Sequence, residues 1–260
     1  MRSVLTIAGS DSSGGAGIQA DLKTITVHGL YGSSAITALT AQNTLGVTAV
    51  QEVEPTFLAA QLDAIFTDIP PDAVKIGMVG SVPLIEVIAE RLKHYKPKYI
   101  VLDPVMVATS GSPLIAEHAE EALKDLLVPI ATIITPNLPE GERLSGKSVS
   151  TKEEMASVAA EIGQTYGTAV LLKGGHRLDD ADDYLYTVEG GHWYTSERID
   201  NPNAHGTGCT LSSALACNLA VDTDLPTAVE RAKGYVTRAL KANLNLGRGR
   251  GPLNHMVEPF

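Results

Sequence analysis

Short apolar runs alternate with longer amphipathic segments along most of the chain. Each run ends at a glycine or a polar residue, as a buried strand does, and the segments between the runs carry apolar residues at helical spacing. The predicted buried strands are Ser3–Ala8, Ala73–Ile76, Tyr99–Leu102, Ala131–Ile134 and Ala169–Leu172. This alternation predicts an α/β fold with a mostly parallel sheet and helices on both faces of that sheet.

The amphipathic segments predict the helices. These are Gly14–Val27, Thr56–Asp68, Val82–His94, Ala116–Leu127, Pro139–Ser145, Lys152–Tyr166, Gly206–Val221 and Leu225–Leu246. Two further stretches are β-rich. Tyr31–Val53, with breaks at Gly32 and Gly46, is predicted to leave the main sheet or to cover a site. Asp183–Val188 and His192–Thr195 are predicted to form a hairpin.

Composition narrows the possible function classes. Of 260 residues, 44% are hydrophobic and 19% are charged, which suits one domain over residues 1–260 with a core that needs no disulfide. The formal net charge of −10 disfavours nucleic-acid binding. Cys209 and Cys217 lie two turns apart if they share a helix, about 12 Å and too far for a disulfide. The two cysteines are therefore expected to be in a reducing compartment. No apolar run reaches membrane-spanning length, so we expect a cytoplasmic protein with no membrane partner.

Polar and glycine residues collect where the predicted strands end. Ligands of such sheets bind at the carboxyl ends of the strands. The clusters are Gly9–Asp11, Gly77–Met78, Asp103–Pro104, Thr135–Asn137 and Lys173–Gly175. Asp103 and Glu140 are candidate carboxylates for Mg²⁺ or its waters, and Lys173 is a candidate to hold a nucleotide phosphate. Each residue alone is more often structural, and their shared location is what indicates a site.

Residues 205–210, His-Gly-Thr-Gly-Cys-Thr, precede a predicted helix rich in small residues. Gly206 and Gly208 allow backbone N–H groups to converge at the helix N-terminus, where the positive potential suits a phosphoryl group in transfer. The thiol of Cys209 at this position is predicted to have a lowered pKa. The same pattern also fits a plain glycine-rich helix cap with a buried cysteine.

Asp21 lies one turn into the first predicted helix, where it either faces the strand ends or is a solvated helix carboxylate. The glycine-rich residues 9–17 before it match neither a dinucleotide fingerprint nor a P-loop, which disfavours a dinucleotide oxidoreductase. The histidines lack the spacing of a zinc site.

Five ordered motifs carry a resemblance that runs from end to end. They are AGSDSSGGAGIQADLKT near the start, DPVM from Asp103, ITPNLPE from Ile134, LLKGGH from Leu171 and HGTGCTLSSA from His205, with a GPLNH tail. Together they resemble the hydroxymethylpyrimidine/phosphomethylpyrimidine kinase family of the ribokinase-like superfamily. The resemblance implies a three-layer α/β/α sandwich and ATP and Mg²⁺ as cofactors. It also implies phosphorylation of hydroxymethylpyrimidine and then of its monophosphate in thiamine biosynthesis, and a homo-oligomer, with a dimer favoured.

The resemblance also implies roles for the phosphate-binding residues. An anion hole is implied at Gly206, Thr207, Gly208 and Cys209. Cys209 occupies the position where most ribokinase relatives carry a catalytic aspartate. Lys173 resembles the phosphate-holding lysine, and Asp103 and Glu140 resemble the acidic residues that organise Mg²⁺. Nucleotide binding is implied at Asn137, Lys173, Thr207 and Gly208.

Substrate binding is implied at a second set of residues. These are Gly9, Ala16, Asp21, Gln42, Met78 and Val105. Asp21 would accept hydrogen bonds from the amine of the aminopyrimidine, Gln42 would read the ring edge, and Met78 would pack on the ring.

Two alternatives stay open beside this resemblance. A pyridoxal or pyridoxine kinase shares nearly every motif, although Gln42 and Met78 favour the pyrimidine. A non-catalytic ligand sensor on the same fold is disfavoured, because a sensor has no need of an intact set of phosphate and metal groups. Residues 110–112 and 177–182 are candidates for a lid over the site.

Overall fold

The computed structural model of the protein describes residues 1–106, 117–175, 181–196 and 198–260. Within these ranges the strands are β1 (Ser3–Asp11), β2 (Tyr31–Asn43), β3 (Gly46–Glu52), β4 (Ala73–Ile76), β5 (Tyr99–Leu102), β6 (Ile133–Ile134), β7 (Ala169–Lys173), β8 (Asp183–Thr187) and β9 (Gly190–Tyr194). They join one sheet in the order β3-β2-β1-β4-β5-β6-β7-β8-β9. The six strands from β2 to β7 in this order run parallel, while β3, β8 and β9 each pair antiparallel with a neighbour.

The helices are α1 (Gly17–Val27), α2 (Pro55–Asp68), α3 (Val82–Tyr95), α4 (Glu117–Ala122), α5 (Leu138–Ser145), α6 (Lys152–Tyr166), α7 (Thr207–Ala220) and α8 (Leu225–Lys241). Helices α2, α3, α5 and α8 each have a proline in the first turn. An N–H group at this position would have no acceptor within the helix, so the missing N–H of proline costs no hydrogen bond. Capping boxes of Asn137 with Glu140, and of Thr151 with Glu154, begin α5 and α6. None of the helices in the described ranges is both long and apolar enough to cross a membrane.

Alternate residues of the parallel strands point into two hydrophobic cores. In β5, Val101 packs with residues of α1, α7 and α8, whereas Ile100 and Leu102 pack with residues of α2 to α6. The same alternation runs through β1, β4, β6 and β7. The prediction of a three-layer α/β/α sandwich with a mostly parallel sheet is therefore confirmed.

Three predictions in the first part of the chain need correction. The stretch Tyr31–Val53 does not leave the sheet, because β2 pairs with β1 and β3 continues it as the edge strand. Gly32 lies inside β2 instead of breaking it. Helix α1 begins at Gly17 and not at Gly14, since Asp11 prolongs β1 and its carboxylate holds the intervening turns by accepting backbone hydrogen bonds.

Further boundaries also differ from the prediction. The predicted helix over 116–127 is α-helical only to Ala122, then forms a π-helical turn and a 3-10 turn at Pro129, which cannot continue an α-helix. Strand β6 is shorter than predicted, and the turn of the β8–β9 hairpin falls at Val188 and Glu189. Helix α8 ends at Lys241. The candidate lid residues 110–112 and most of 177–182 lie outside the described residues.

The parallel strands end together at one edge, here called the carboxyl edge of the sheet. Two glycine-rich loops touch there, since a Cβ built on Gly206 would lie 1.9 Å from the carbonyl oxygen of Gly15. One loop precedes α1 and the other precedes α7. Their contact fixes the start of α7 beside the ends of the central strands.

Candidate active site

Asp103 and Lys173 meet at the carboxyl edge of the sheet. Asp103 follows β5, is almost fully buried, and accepts hydrogen bonds at Oδ1 from the Thr135 hydroxyl at 3.1 Å and from Lys173 Nζ at 3.3 Å. Burial disfavours the charged form of Lys173, but the carboxylates of Asp103 and Glu140 outweigh burial and raise the pKa of the lysine. Lys173 is therefore held as a cation beside two acidic groups.

Glu140 is placed by the capping box that begins α5. Its N–H donates to Asn137 Oδ1 at 2.9 Å, and its Oε2 accepts from the Asn137 N–H at 2.8 Å. Asn137 also forms a β-bridge with Lys173. Burial raises the pKa of Glu140 to about 7, with Lys173 opposing the rise and Asp103 adding to it. Glu140 is therefore harder to ionise than an ordinary glutamate.

The start of α7 lies against this acidic pair and its lysine. A Cβ on Gly208 would lie 3.2 Å from Asp103 Oδ2 and 3.6 Å from Lys173 Nζ. Gly206 is the N-cap of α7 with a φ of +85°, and no side chain caps the first turn. First-turn N–H groups have no acceptor within their own helix, and the helix dipole adds positive potential there. The arrangement can bind phosphoryl oxygens between the helix N-terminus and Lys173.

Thr207 shapes the loop before α7. Its hydroxyl donates to the Ala204 carbonyl at 2.7 Å, and its N–H points to the same oxygen at 3.4 Å. The N–H groups of Gly208 and Cys209 follow in the first turn and are better placed for an anion than that of Thr207.

Cys209 is partly exposed and Cys217 is buried. Both are free thiols on α7, as their spacing predicts. Burial raises the pKa of Cys209 to about 11; the Lys75 ammonium opposes the rise, and the carboxylates of Asp21 and Asp103 add to it. The prediction of a lowered pKa is wrong, because desolvation of the sulfur outweighs both the charge of Lys75 and the hydrogen bond from the Gly17 backbone. The free protein holds Cys209 as a thiol at neutral pH.

Asp21 lies on α1 but faces the interior and is fully buried. Lys75 Nζ lies 2.9 and 2.8 Å from its two carboxylate oxygens, the Thr6 hydroxyl donates to Oδ2 at 2.6 Å, and the Ser213 hydroxyl donates to Oδ1 at 2.7 Å. The prediction that Asp21 receives the substrate amine is wrong, because these donors already surround the carboxylate. A solvated helix carboxylate is equally ruled out.

Lys75 is a residue that the sequence reasoning missed. It lies in β4, whose other residues Ala73, Val74 and Ile76 are apolar and fully buried. A lysine among such residues is rarely buried without a partner, so the charge in an apolar strand was the available signal. No sequence pattern identifies the partner, which lies on α1.

Three of the predicted substrate residues lie at the ends of β1, β4 and β5. Gly9 and Met78 are in contact, since a Cβ on Gly9 would lie 2.8 Å from Met78 Cε. Met78 is fixed through its carbonyl, which accepts from the Thr37 hydroxyl at 2.8 Å. Val105 follows Asp103, and its N–H donates to the Asp103 carbonyl at 2.8 Å.

Asp11 and His205 connect the loops before α1 and α7, and neither was predicted as a site residue. His205 Nε2 lies 2.9 Å from Asp11 Oδ2 and 3.2 Å from the amide nitrogen of Gln42. The Ala16 N–H donates to Asp11 Oδ2 at 2.9 Å. Burial would raise the pKa of Asp11, but hydrogen bonds from His205 and Ser13 hold it well below its usual range. The pair thus ties Gln42 and Ala16 to the loop before α7.

Asp103 and Glu140 fit a magnesium ion by the chemistry of their donors. Mg²⁺ takes oxygen ligands, commonly one or two carboxylates with phosphate oxygens and waters. The raised pKa of Glu140 indicates that its buried anion is costly, and a cation beside it would offset that cost. In the described part of the chain, no group of three His, Cys, Asp or Glu side chains is arranged to hold a metal ion.

In the metal-free protein, Glu140→Gln should raise the free energy of unfolding, relative to the wild type, more at pH 8 than at pH 5. The folded-state pKa of about 7 exceeds the ordinary 4.5, so the stabilising contribution of this group is complete below pH 4.5 and is lost as the pH rises to 7. Glutamine keeps the capping box but cannot ionise. We expect the difference in unfolding free energy between variant and wild type to grow by on the order of 2–3 kcal/mol from pH 5 to pH 8, measured by urea unfolding in EDTA.

Glu154→Gln is the matched control, because Glu154 occupies the same capping-box position of α6 on an exposed surface. This variant should show no such dependence on pH. Equal behaviour of the two variants would contradict the raised pKa of Glu140.

Comparisons with known proteins find both similar sequences and similar structures. Residues 11–254 match a family described as phosphomethylpyrimidine kinase. A thiamine biosynthesis bifunctional protein of Geobacter sulfurreducens is 51% identical over 98% of this chain, which spans only 52% of that protein. The hydroxymethylpyrimidine/phosphomethylpyrimidine kinase of Escherichia coli K12 is 47% identical, with 96% of each chain covered. An ADP complex of Bacillus subtilis pyridoxal kinase has a TM-score of 0.90 at 39% identity, covering 98% of this chain and 97% of that one.

Proposed function

The chain belongs to the phosphomethylpyrimidine kinase family, and we propose that it is a two-step kinase of thiamine biosynthesis. It transfers the γ-phosphoryl group of ATP to the hydroxymethyl group of 4-amino-5-hydroxymethyl-2-methylpyrimidine, and then a second phosphoryl group to the monophosphate. The observation that carries this proposal is the start of α7, with Gly208 within reach of both Asp103 and Lys173. A helix N-terminus, a lysine and two carboxylates at one point are the parts that phosphoryl transfer requires.

In the first step, the substrate hydroxyl oxygen bonds to the γ-phosphorus as the bond from phosphorus to the β–γ bridging oxygen breaks, and ADP leaves. The hydroxyl proton passes to the sulfur of Cys209. Only the ionised fraction of Cys209 can accept it; with a pKa of about 11 that fraction is small at neutral pH but strongly basic.

Lys173 and the first-turn N–H groups of α7 stabilise charge on the transferred group. The lysine lies 3.3 Å from Asp103 and remains a cation, so it can follow the phosphoryl oxygens as a point charge. Donors that are already oriented cost no reorganisation at the moment of reaction. Asn137, bridged to Lys173, is proposed to contact the nucleotide.

Asp103 and Glu140 are the residues that would hold Mg²⁺ or its waters. A magnesium ion there would neutralise phosphate charge. For the protein itself, the consequence is that Glu140 must ionise, and its pKa of about 7 means that acid conditions oppose this.

The acceptor ring is proposed to lie against Gly9 and Met78, with Gln42 at its edge. Gly9 leaves space that the Met78 side chain partly fills, which gives a flat apolar wall. Gln42 Oε1 accepts from the Thr40 hydroxyl at 3.1 Å and its amide nitrogen lies 3.2 Å from His205. Each end of an amide has a second hydrogen-bonding position, so Gln42 still offers a donor and an acceptor to a pyrimidine ring with an amino group.

The test is ADP release with ATP and Mg²⁺, comparing hydroxymethylpyrimidine, its monophosphate and pyridoxal at equal concentration. Turnover of both pyrimidines with much slower turnover of pyridoxal is the expected result. Preference for pyridoxal without action on the monophosphate would support the second candidate, a pyridoxal kinase, which the similarity to the Bacillus subtilis enzyme favours. Nucleotide binding without any turnover would instead favour a ligand sensor.

Gln42→Ala should raise the KM for hydroxymethylpyrimidine by about tenfold or more and leave the KM for ATP within about twofold, because a lost hydrogen-bond pair to the ring costs about 1–2 kcal/mol. Steady-state kinetics with each substrate varied gives both values. Asn43→Ala, at the exposed neighbouring position of β2, should change neither. An equal loss for both substrates in Gln42→Ala would remove this residue from the acceptor pocket.

A further inference from the structure

The Lys75–Asp21 pair is the most deeply buried charge pair among the described residues, and the function above does not use it. Both side chains have no exposed surface. Taking two charges out of water is costly, and a buried ion pair seldom stabilises a protein more than apolar residues of similar volume. A lysine in an otherwise apolar strand therefore indicates a role beyond stability.

Lys75 reaches the carboxyl edge of the sheet from within β4. A Cβ on Gly77, the first residue after the strand, would lie only 2.8 Å from Lys75 Nζ. Nζ also lies 2.9 Å from the Asp21 oxygen that accepts from the Ser213 hydroxyl. Ser213 lies four residues after Cys209 on α7, so the two side chains share one face of the helix, about 6 Å apart. The ammonium group is thus linked through Asp21 to Ser213, on the face of α7 that also carries Cys209.

The charges around the sulfur come from three elements. Asp21 on α1, Lys75 on β4 and Asp103 after β5 are the charged groups that act on Cys209. Lys75 is the one positive group among these three, and it favours the thiolate. In return, Cys209 and Asp103 act on Lys75 together with Asp21. Two of the three ammonium hydrogens are engaged by the two oxygens of Asp21.

We propose that Lys75 is a positioning residue for phosphoryl transfer, whose ammonium group, fixed by Asp21, stabilises negative charge on the sulfur of Cys209. The proposal rests on the proposed function in one respect, that Cys209 accepts the hydroxyl proton. Lys75 keeps its own protons throughout: the acceptor oxygen bonds to the γ-phosphorus, ADP leaves, and the proton moves from oxygen to sulfur. Asp21 serves to hold the lysine in place instead of binding substrate.

Alkylation of Cys209 by iodoacetamide tests this without any substrate. The reagent attacks the thiolate, Cys209 is partly exposed, and a Cys217→Ala background removes the buried second thiol. Lys75→Met should slow alkylation at pH 9 at least about tenfold and move its midpoint to higher pH, since removing the cation among the charged groups that act on the sulfur should raise the pKa of the thiol by about one unit or more. The kcat for the pyrimidine should fall by a similar factor with the KM for ATP unchanged. An unchanged alkylation profile would overturn the proposal.

A second variant covers the case in which Lys75→Met fails to fold around an unpaired Asp21. Lys75→Met combined with Asp21→Asn removes both charges and keeps an acceptor for the Thr6 and Ser213 hydroxyls, and such neutral replacements of a buried pair are often tolerated. The folded double variant should still react with iodoacetamide more slowly than the wild type, because Lys75 acts on Cys209 more strongly than Asp21 does. Recovery of wild-type alkylation and kcat in this variant would show that the pair is only structural.

A charge-neutral control variant and the activity of the wild type distinguish failure of this proposal from failure of the proposed function. Thr6→Val removes a hydroxyl from Asp21 without changing any charge, and its alkylation profile should match the wild type. If the wild type phosphorylates no pyrimidine, the proposed function fails, but the alkylation profiles still decide whether Lys75 acts on Cys209.

Discussion

Cys209→Ala should lose turnover by at least about a hundredfold while its affinity for ATP stays within about twofold. A positioned proton acceptor contributes about 10²–10⁴ to rate, and alanine removes the sulfur without adding bulk to the first turn of α7. The N–H groups of that turn and Lys173 remain, so nucleotide binding should persist. The measurements are kcat from ADP release and the ATP dissociation constant by calorimetric titration.

Cys217→Ala is the internal control for this result. Cys217 lies on the same helix, is buried, and packs with the core formed by α1, α7 and α8. Its removal should leave kcat unchanged and cost only stability. Unchanged turnover in Cys209→Ala would exclude Cys209 as the proton acceptor and leave positioning by Lys173 and the helix terminus as the whole mechanism.

The layers of the fold follow directly from the sequence because they depend on local periodicity. Four-residue runs such as Ala73–Ile76 and Tyr99–Leu102 are buried on both faces, and only a covered parallel strand accounts for them. The residues at which helices and strands end depend on more than local periodicity. The apolar spacing of α8 continues to Leu246, yet the helix ends at Lys241, because Asn243 and Asn245 adopt positive φ.

Site residues could be predicted where a polar residue stands at the end of an apolar strand. Asp103 and Lys173 each end or follow an apolar run, so their meeting at the carboxyl edge could be expected from parallel topology alone. Glu140 could be expected from the capping-box spacing that begins at Asn137. These inferences need no knowledge of what packs against what.

Ionisation states and buried partners could not be predicted in the same way. The pKa of Cys209 depends on the desolvation of its sulfur by neighbouring elements, which helix position does not reveal. Helical spacing gives the face on which Asp21 lies, but not that Lys75 approaches that face from a strand 54 residues away. The structure therefore surrounds the Asp21 carboxylate with Lys75, Thr6 and Ser213, where the sequence predicted the substrate amine.

Gly206→Ala should abolish most activity and destabilise the protein together. Its φ of +85° is unfavourable for alanine, and the new Cβ would lie 1.9 Å from the Gly15 carbonyl oxygen. The loops before α1 and α7 must then separate, which we expect to cost about 2–4 kcal/mol of unfolding free energy. A shift of about 1 Å at the start of α7 should lower kcat about a hundredfold. Urea unfolding and ADP release measure the two effects.

Gly146→Ala is the control that distinguishes the effect of backbone strain from the effect of the contact between the two glycine-rich loops. Gly146 ends α5 with a φ of +71°, nearly the same conformation as Gly206, but a Cβ there meets nothing within 4 Å. This variant should lose about 1 kcal/mol of stability and keep its kcat. At a temperature where circular dichroism shows both variants folded, only Gly206→Ala should be inactive. Equal activity of the two would mean that the contact between the glycine-rich loops does not position α7 for phosphoryl transfer.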